Sequence, residues 1–312
     1  MTVGDPRGIG PEIVAKALAD PRVGERCDIV VVGPEMPGLA VAEPVERWLG
    51  EEGAAYAGKL SGLAIERAVE LAATGVVQGI VTAPIDKAAL FAGGYDYPGH
   101  TEMLGALTGC PVAMMLASDK LRVVLATTHL PLRRVTEMLS AQVISDAARI
   151  TRAGLIKWFG VAEPRIALCA LNPHAGDGGR FGSEDDDLLA PAARASGLAG
   201  PFPADTVFVR AMRGEFDAVI APYHDVGMTA IKVASFGSAV NVTLGLPFPR
   251  TSPDHGTALD IAGHQRADPS SMIAATLLCA SFAARAPERG DHPTIEDLRT
   301  GTRSGGPPSR GR

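Results

Sequence analysis

Three histidines share one position relative to short apolar segments of the chain. His129 closes the run LRVVLATTH, His174 follows RIALCALNP, and His224 follows DAVIAPY. If these runs are parallel strands, their C-terminal ends meet at one edge of a sheet, where ligand sites form. Three neutral imidazoles with an open fourth position are typical of a catalytic divalent metal site, and zinc is the easiest match. The simpler interpretation, in which each histidine only hydrogen-bonds its own loop, stays open on this evidence.

A second set of polar residues is suited to binding an anion. The segment YPGHTE puts His100 and Thr101 at the predicted start of a helix, where either side chain can act as the N-cap and the helix end attracts phosphate or carboxylate. Lys232, Asn241 and Arg250 follow the third histidine at short intervals, and an arginine can hold an oxyanion through two hydrogen bonds. Taken singly, helix capping and solvation explain these residues equally well.

Two glycine-rich loops complete the candidate chemistry. The first, GDPRGIGPE at 4–12, is neither a G-x-G-x-x-G fingerprint nor a P-loop, and its glycines favour close approach of the backbone to a ligand or strand. The second, DHGTALDIAG at 254–263, places His255 and Gly256 before a predicted helix. The chain has no G-x-S-x-G elbow, so it offers no sign of a serine hydrolase.

The elements that must position these residues follow an alternating pattern. Short β-branched runs separated by longer Ala- and Leu-rich segments predict strands buried on both faces, hence a largely parallel sheet with crossover helices. Pro11 suits the first position of a helix that runs to about Ala19. The predicted strands are 28–33, 79–83, 121–128, 165–171, 217–221 and 239–244, and the predicted helices include 62–74, 135–159 and 184–195.

Composition excludes several classes of function. The 312-residue chain is 46% hydrophobic with a formal net charge of −6, which argues against nucleic-acid binding. It contains neither an apolar run of about 20 residues, as a membrane span requires, nor a signal-peptide-like start. The four cysteines form no CxxC pair and suit a reducing compartment. We therefore expect a cytoplasmic protein that binds neither nucleic acid nor membrane.

The motifs together resemble one enzyme family. In order along the chain, they match the 4-hydroxythreonine-4-phosphate dehydrogenase family of vitamin B6 biosynthesis over most of 4–268, and the loop at 254–263 also resembles that of isopropylmalate dehydrogenases. The matching segments are GDPRGIGPE, TAPIDK, YPGHTE, ATTHLPL, LNPHAGDGG, PADT, YHDVG and VNVTLGLPFPRTSPDHGTALDIAG.

The resemblance implies an α/β fold of two α/β/α domains with a mostly parallel sheet and a cleft between them, like that of isopropylmalate dehydrogenase. The first domain would comprise residues 1–103 and 252–298, the second would comprise 104–251 and carry the metal histidines, and 299–312 would form a disordered tail. The family also implies a homodimer with its active site at the subunit interface.

The same resemblance assigns roles to individual residues. His129, His174 and His224 would bind the metal. Substrate would contact His100, Thr101, Lys232, Asn241 and Arg250. The cofactor would lie near the loop formed by Asp254, His255, Gly256, Thr257 and Ala258. For the general base the candidates are Lys232, Asp225 and Asp205, and the residues alone do not choose between them.

The implied reaction is a metal-dependent oxidation linked to NAD or NADP. It would convert 4-(phosphooxy)-threonine to a 3-keto acid that decarboxylates to 3-amino-2-oxopropyl phosphate, with one divalent metal per subunit: zinc, or else magnesium or cobalt. The nearest alternative keeps the chemistry but oxidises 4-phospho-threonate or 4-phospho-erythronate. An acyltransferase of similar fold and a non-catalytic metal-dependent sensor are the alternatives from other classes.

Four features depart from the family's pattern. Only Met1 to Val3 precede the GDP motif, where relatives usually have a full first strand, so we expect that strand to be curtailed or the start misassigned. The segment 34–57 is short. Val226 stands where glutamine is usual, and Asp86 replaces an asparagine, adding negative charge near an expected anion site. Val226 and Asp86 leave the three histidines intact but bear on substrate identity.

Overall fold

Helices and strands, singly or in consecutive pairs, follow one another along the described chain. The computed structural model describes residues 1–50, 52–235 and 238–285. Its strands are β1 (Val32–Glu35), β2 (Glu43–Arg47), β3 (Ile80–Val81), β4 (Ala113–Ala117), β5 (Arg122–Leu125), β6 (Ile166–Cys169), β7 (Ala199–Phe202), β8 (Ala218–Ala221), β9 (Val240–Leu244) and β10 (Arg250–Pro253). Its α-helices are α1 (Gly10–Leu18), α2 (Pro21–Gly24), α3 (Ala54–Ala73), α4 (Lys87–Ala92), α5 (His100–Thr108), α6 (Leu132–Met138), α7 (Ala141–Lys157), α8 (Ala190–Ala195), α9 (Ala204–Met212), α10 (His224–Ser235) and α11 (Ser270–Ala283).

Eight of the strands form one sheet in the order β3-β10-β9-β4-β5-β8-β6-β7. Four of the seven pairings are parallel, which confirms the predicted mostly parallel α/β fold; the antiparallel pairings are β10 with β9, β9 with β4, and β4 with β5. The sheet is continuous across the predicted domain boundary at 251/252. The division into two domains therefore stays a prediction, and the predicted tail at 299–312 lies outside the described residues.

A short extended segment at the start of the chain joins this sheet to the pair formed by β1 and β2. Thr2 forms parallel bridges with both Val32 and Thr82, and the amide of Val3 donates to the carbonyl of Val32 at 3.0 Å. Residue Thr2 thus pairs with both sheets through isolated bridges rather than as part of a strand. The predicted strand at 28–33 begins instead at Val32, because the carbonyl of Val30 accepts a hydrogen bond from the amino group of Met1.

The predicted helices are present with three corrections. The helix expected at 135–159 is two helices, α6 and α7, because the hydroxyl of Ser140 accepts from the amide of Val143 and starts a new helix there. The segment 184–195 begins as a π-helix over Asp185–Leu189 before α8. The helix expected after Gly256 is wrong: residues 259–265 form turns, since Ala258, Gly263 and Gln265 all have positive φ.

The order of strands explains why the candidate residues meet. The strands β5, β8 and β6 run parallel, so the loops after their C-terminal ends, which carry His129, His224 and His174, leave the sheet at one edge. Three successive antiparallel pairings separate β5 from β10, so β10 runs in the opposite direction to β5. Its first residue, Arg250, therefore lies at that same edge.

Within residues 1–50, 52–235 and 238–285, no helix is long and apolar enough to cross a membrane.

The cores on the two faces of the sheet are built mainly from Ala, Val, Leu and Ile side chains, with Trp158 and Phe282 packed together at one end. Small residues such as Gly58 also allow neighbouring helices to pack closely. The N-terminal half of α3 lies against α4, where a Cβ at Gly58 would overlap the carbonyl group of Ala89.

This contact predicts the effect of replacing Gly58 with alanine. In an isolated helix the change would be favourable by about 1 kcal/mol, but here the added methyl group meets backbone that cannot rotate away. We expect Gly58→Ala to lower the free energy of unfolding by about 1–3 kcal/mol, the usual cost of overpacking, as measured by urea denaturation.

The matched control is Gly24→Ala, because no atom lies within 4 Å of a Cβ built at that position. A Gly58→Ala protein as stable as the control would show that α3 and α4 are not packed as closely as described.

Candidate active site

A cavity opens at the sheet edge where Arg250 and the loop histidines meet. Its walls come from the start of α5, the loop after β3, the strands β9 and β10, the start of α10 and the loop that follows β10. The lining side chains that carry chemistry are Thr82, Lys87, His100, Thr101, Glu102, His129, His224, Asn241, Arg250, Asp254 and His255. Most of the predicted site residues therefore share one cavity.

Arg250 is the buried cation of this cavity. Its side chain is almost inaccessible, with 1% exposure. One guanidinium nitrogen, Nη1, donates to Thr243 Oγ1 at 3.0 Å, and Nη2 donates to Thr82 Oγ1, whereas Nε has no partner among the described residues. Burial lowers the pKa of Arg250 to about 9, because its partners are neutral hydroxyls that compensate poorly for lost water. An anion bound here would supply the missing compensation.

His100 lies beside Arg250 in the same environment. Desolvation first, and then the positive charges of Arg250 and Lys87, lower the pKa of His100 well below its usual value, so the ring is neutral. The helix α5 begins at His100 with Gly99 as its N-cap, and no side chain caps it. The expectation that His100 or Thr101 caps this helix is therefore wrong, since both stand in its first turn. Their side chains are left available to a ligand.

Unpartnered polar atoms converge on the cavity. Among the described residues, His100 Nε2, Glu102 Oε2, Asn241 Oδ1, Arg250 Nε and His255 Nε2 are all buried and lack a hydrogen-bond partner, and all five residues line the cavity. Buried polar atoms in folded proteins are nearly always paired, because desolvating them without a partner is costly. Such a concentration of unpaired donors and acceptors is expected at a site whose ligand completes the hydrogen bonds.

Two of the three predicted metal histidines face each other across this cavity. The ring centroids of His129 and His224 are 5.8 Å apart. The Nδ1 atom of His224 is 2.7 Å from Asp225 Oδ1, and Nδ1 of His129 is 3.6 Å from Glu102 Oε1. A carboxylate at Nδ1 orients a histidine ring and leaves Nε2 available as a ligand, the arrangement that commonly surrounds protein-bound zinc.

His174 is not part of the cavity in a single chain. It lies in the short helical turn Pro173–Gly176, with its ring 6.3 Å from that of Phe181, and does not line the cavity. Across the described residues, no group of three or more His, Cys, Asp or Glu side chains is close enough to hold a metal ion. One chain thus brings together two of the three predicted ligands.

The backbone at two of these histidines adopts an uncommon conformation. His129 has φ 51° and His174 has φ 54°, both in the left-handed region that side chains with a Cβ seldom occupy. Ala175 and Asp177 continue the same conformation beside His174. Strain of this kind often accumulates at functional sites, where neighbouring structure holds a side chain in a required direction.

The three candidate bases differ in their surroundings. Lys232 Nζ forms an ion pair with Asp254 Oδ2 at 2.7 Å and also donates to the Asp254 carbonyl at 3.1 Å. The side chain of Asp225 is 86% exposed and contacts His224. Asp205 is exposed in the first turn of α9 and does not line the cavity.

The loop proposed to lie near the cofactor borders the cavity. Asp254, His255 and Gly256 line it, whereas Thr257 contacts the first glycine-rich loop through a hydrogen bond from the Ile9 amide to its carbonyl at 2.9 Å. A Cβ at Gly8 would lie 2.7 Å from the same carbonyl oxygen. Gly8 is therefore required for close approach of the two loops, whereas the sequence predicted approach to a ligand or strand.

Asp86 and Val226, the two departures from the family pattern that bear on substrate identity, have separate structural explanations. Asp86 is the N-cap of α4, accepting from the Ala89 amide at 2.7 Å, and lies 3.8 Å from the guanidinium of Arg7. Asp86 does not line the cavity, and its negative charge instead caps α4 and faces Arg7. Val226 packs against the apolar core beneath α10.

Sequence reasoning did not single out Thr82, Lys87 or Glu102, although the motifs TAPIDK and YPGHTE contain them. The sequence offered one indication of their role, because all three lie in motifs that contain or flank other predicted site residues. Their roles become visible only when the fold places β3 and α5 beside Arg250.

The family model described as pyridoxal phosphate biosynthetic protein PdxA matches residues 34–279. The chain belongs to the PdxA family. Curated relatives include the 4-hydroxythreonine-4-phosphate dehydrogenases of Xanthomonas oryzae pv. oryzae (strain PXO99A) and Desulfosudis oleivorans, each 43% identical to this chain and covering 91% of it and 98% and 95% of the relatives. With this membership, the chain is an enzyme of the dehydrogenase class.

Solved structures agree with the assignment to the PdxA family. A 4-hydroxythreonine-4-phosphate dehydrogenase from Klebsiella pneumoniae superposes with a TM-score of 0.78 at 39% identity, covering 90% of this chain and 98% of that one. A terephthalate 1,2-cis-dihydrodiol dehydrogenase from Burkholderia xenovorans LB400 gives 0.62 at 29% identity, covering 90% and 96%. A β-decarboxylating dehydrogenase from Thermococcus kodakarensis, 14% identical with a TM-score of 0.55 over 91% and 82%, shares the fold.

The burial of Arg250 yields a prediction about stability. Without an anion, the folded protein keeps a poorly compensated buried cation, and replacing such a charge with an apolar side chain of similar size is often neutral or stabilising. We expect Arg250→Met to melt at the wild-type temperature or above, while losing most of the stabilisation that inorganic phosphate gives the wild type. At 100 times its Kd a ligand contributes about 2.7 kcal/mol, measurable by differential scanning calorimetry.

Arg149→Met is the matched control, because Arg149 is 60% exposed and pairs with Asp146 on the surface of α7. Equal responses of the two variants to phosphate would exclude Arg250 as the anion-binding residue.

Proposed function

We propose that this protein oxidises 4-(phosphooxy)-threonine with NAD or NADP, giving a 3-keto acid that decarboxylates to 3-amino-2-oxopropyl phosphate. The observation that carries the proposal is the buried Arg250, which has no anionic hydrogen-bond partner among the described residues and shares its cavity with the facing rings of His129 and His224. Relatives that are 43% identical are named 4-hydroxythreonine-4-phosphate dehydrogenases, which supports the same substrate here.

The phosphate end of the substrate would bind at the inner wall of the cavity. Arg250 offers its unpaired Nε, Lys87 contributes a second positive charge, and neutral His100 can donate through its ring. Thr101 and Asn241 add a hydroxyl and an amide beside them. Fixing the phosphate orients the rest of the molecule, because binding energy from a remote group is used to position the reacting carbon.

The metal site would be built on His129 and His224, with His174 as the third ligand. Imidazole nitrogen suits zinc or cobalt better than magnesium, which prefers oxygen ligands. A bound divalent cation supplies Lewis-acid polarisation of a substrate oxygen. Asp225 would orient the ring of His224, and Glu102 would orient the ring of His129, each through the Nδ1 atom of the histidine.

The nicotinamide would lie against the loop of Asp254, His255, Gly256, Thr257 and Ala258, and it accepts the hydride in such enzymes. Lys232 contacts this loop through Asp254. The Lys232 ammonium in that ion pair is suited to contact an anionic group of the substrate. Lys232, Asp225 and Asp205 all stay candidates for the proton acceptor.

We further propose a homodimer in which His174 of the partner subunit completes each site. Support comes from the position of His174 outside its own chain's cavity and from large apolar side chains exposed on nearby elements. Leu132 is 67% exposed at the start of α6 and Val233 is 68% exposed on α10. Phe181, Val209 and Met212 are also more than a third exposed.

A cytoplasmic location is proposed as well. All four cysteines are free thiols in the structure, and Cys169 and Cys279 are buried. Free thiols are typical of proteins from a reducing compartment.

The defining test is an assay of the purified protein with 4-(phosphooxy)-threonine, 4-phospho-threonate and 4-phospho-erythronate, each with NAD and NADP. We expect reduction of the nicotinamide with the amino-acid substrate. Alanine at His129, His174 or His224 should lower kcat by at least about 1,000-fold and abolish metal retention, measured by atomic emission. A metal-free triple variant with full activity would end the proposal, and turnover of acyl groups without nicotinamide reduction would indicate an acyltransferase.

Subunit mixing tests the shared site. A His129→Ala chain and a His174→Ala chain are each expected to be inactive, but heterodimers refolded from both should contain one intact site and regain up to about half the activity per dimer. The control mixes His129→Ala with His224→Ala. Because both lost ligands would come from one chain, no activity should return. Recovery in the control mixture instead would assign the shared ligand to His224.

A further inference from the structure

Glu102 is a carboxylate inside a cavity that is otherwise arranged for anions. It stands in the first turn of α5, one residue after Thr101. Its Oε1 lies 3.6 Å from Nδ1 of His129, and its Oε2 is buried without a hydrogen-bond partner among the described residues. The other lining carboxylate, Asp254, already has the ammonium of Lys232 at 2.7 Å.

Glu102 and the cations of the cavity lie in the same part of its wall. Its Oε2 lies 3.5 Å from the point where a Cβ at Gly99 would stand, and Lys87 Cε lies 3.7 Å from the same point. Arg250 is close enough for the charge of Glu102 to influence its pKa, although desolvation is the larger cause and lowers that pKa to about 9. Glu102 thus stands between the cationic end of the cavity and the imidazole of His129.

A carboxylate in this place is unfavourable for a ligand that carries only negative charge. Phospho-threonate and phospho-erythronate carry a phosphate and a carboxylate and no cation, so they would meet Glu102 with like charge. The amino-acid analogue differs from phospho-threonate by one group, an ammonium in place of a hydroxyl at C2. An ammonium would satisfy the buried Oε2 with a charge-assisted hydrogen bond, roughly twice as strong as a neutral one.

We propose that Glu102 selects substrates bearing an ammonium group, by pairing with that group through Oε2 and repelling wholly anionic analogues. The proposal rests on the proposed oxidation of a phosphorylated hydroxy acid and names the substrate class within it. Specificity of this kind combines an attraction for one ligand with a penalty for its competitor. Under this proposal, the preference for the amino-acid substrate follows from a residue of this chain, Glu102.

The test compares Kd and kcat/KM for 4-(phosphooxy)-threonine and 4-phospho-threonate in wild type and Glu102→Gln. The variant keeps the size of the side chain and removes its charge. We expect binding of the amino-acid ligand to weaken by about 10-fold, the equivalent of about 1.4 kcal/mol, while binding of phospho-threonate stays the same or tightens. Glu102→Asp should retain the preference for the ammonium. Glu70→Gln is the matched control, since Glu70 pairs with Arg67 on the exposed face of α3.

The outcomes separate this role from a structural one. If Glu102 acts only by orienting His129, then Glu102→Gln should weaken both ligands by the same factor and lose metal, measured by atomic emission, and the proposal is overturned. If wild type binds both ligands but oxidises neither, the proposed function fails while the Kd ratio still decides the role of Glu102. Absence of binding of either ligand to wild type would overturn both.

Discussion

The burial of one guanidinium group without an anion is the constraint on which the site depends. Arg250, at the start of β10, is held by two threonine hydroxyls, and its charge is poorly compensated in the free protein. Retaining a cation in such a place costs stability, and that cost is recovered only when an anion is bound. The pKa of neighbouring His100 is lowered first by burial of the ring and then by the charge of Arg250, which opposes its protonation.

The mixed sheet brings Arg250 into the same cavity as two of the three histidines. Three successive antiparallel pairings reverse the direction of β10 relative to β5, so that the beginning of one strand and the ends of three others lie at one edge. Arg250 and the histidines proposed to bind the metal come from distant parts of the chain and reach one edge of the sheet without a long connection. A wholly parallel sheet would have placed Arg250 at the opposite edge from His129.

Much of the fold and part of the site could be predicted from local pattern. The β-branched runs predicted β5, β6, β8 and β9, and with them the strand-end placement of the three histidines, because burial on both faces leaves a strong compositional signal. The strands β4 (AMMLA) and β10 (RTSP) could not be predicted in this way: the first lacks β-branched residues and the second is polar. Thr82, Lys87 and Glu102 were missed because their importance arises from tertiary neighbours, and the separation of His174 from the other two rings has no counterpart in sequence spacing.

The left-handed backbone at His129 and His174 constrains how this protein can change over evolutionary time. Glycine, asparagine and aspartate tolerate such a conformation best, and a histidine codon becomes an asparagine or aspartate codon through a single base change. Loss of an imidazole at either position can therefore leave the chain foldable, with the cavity around Arg250 unchanged. If the two imidazoles bind the proposed metal, a single base change is a short mutational route from an enzyme to a descendant that still binds the ligand but no longer transforms it.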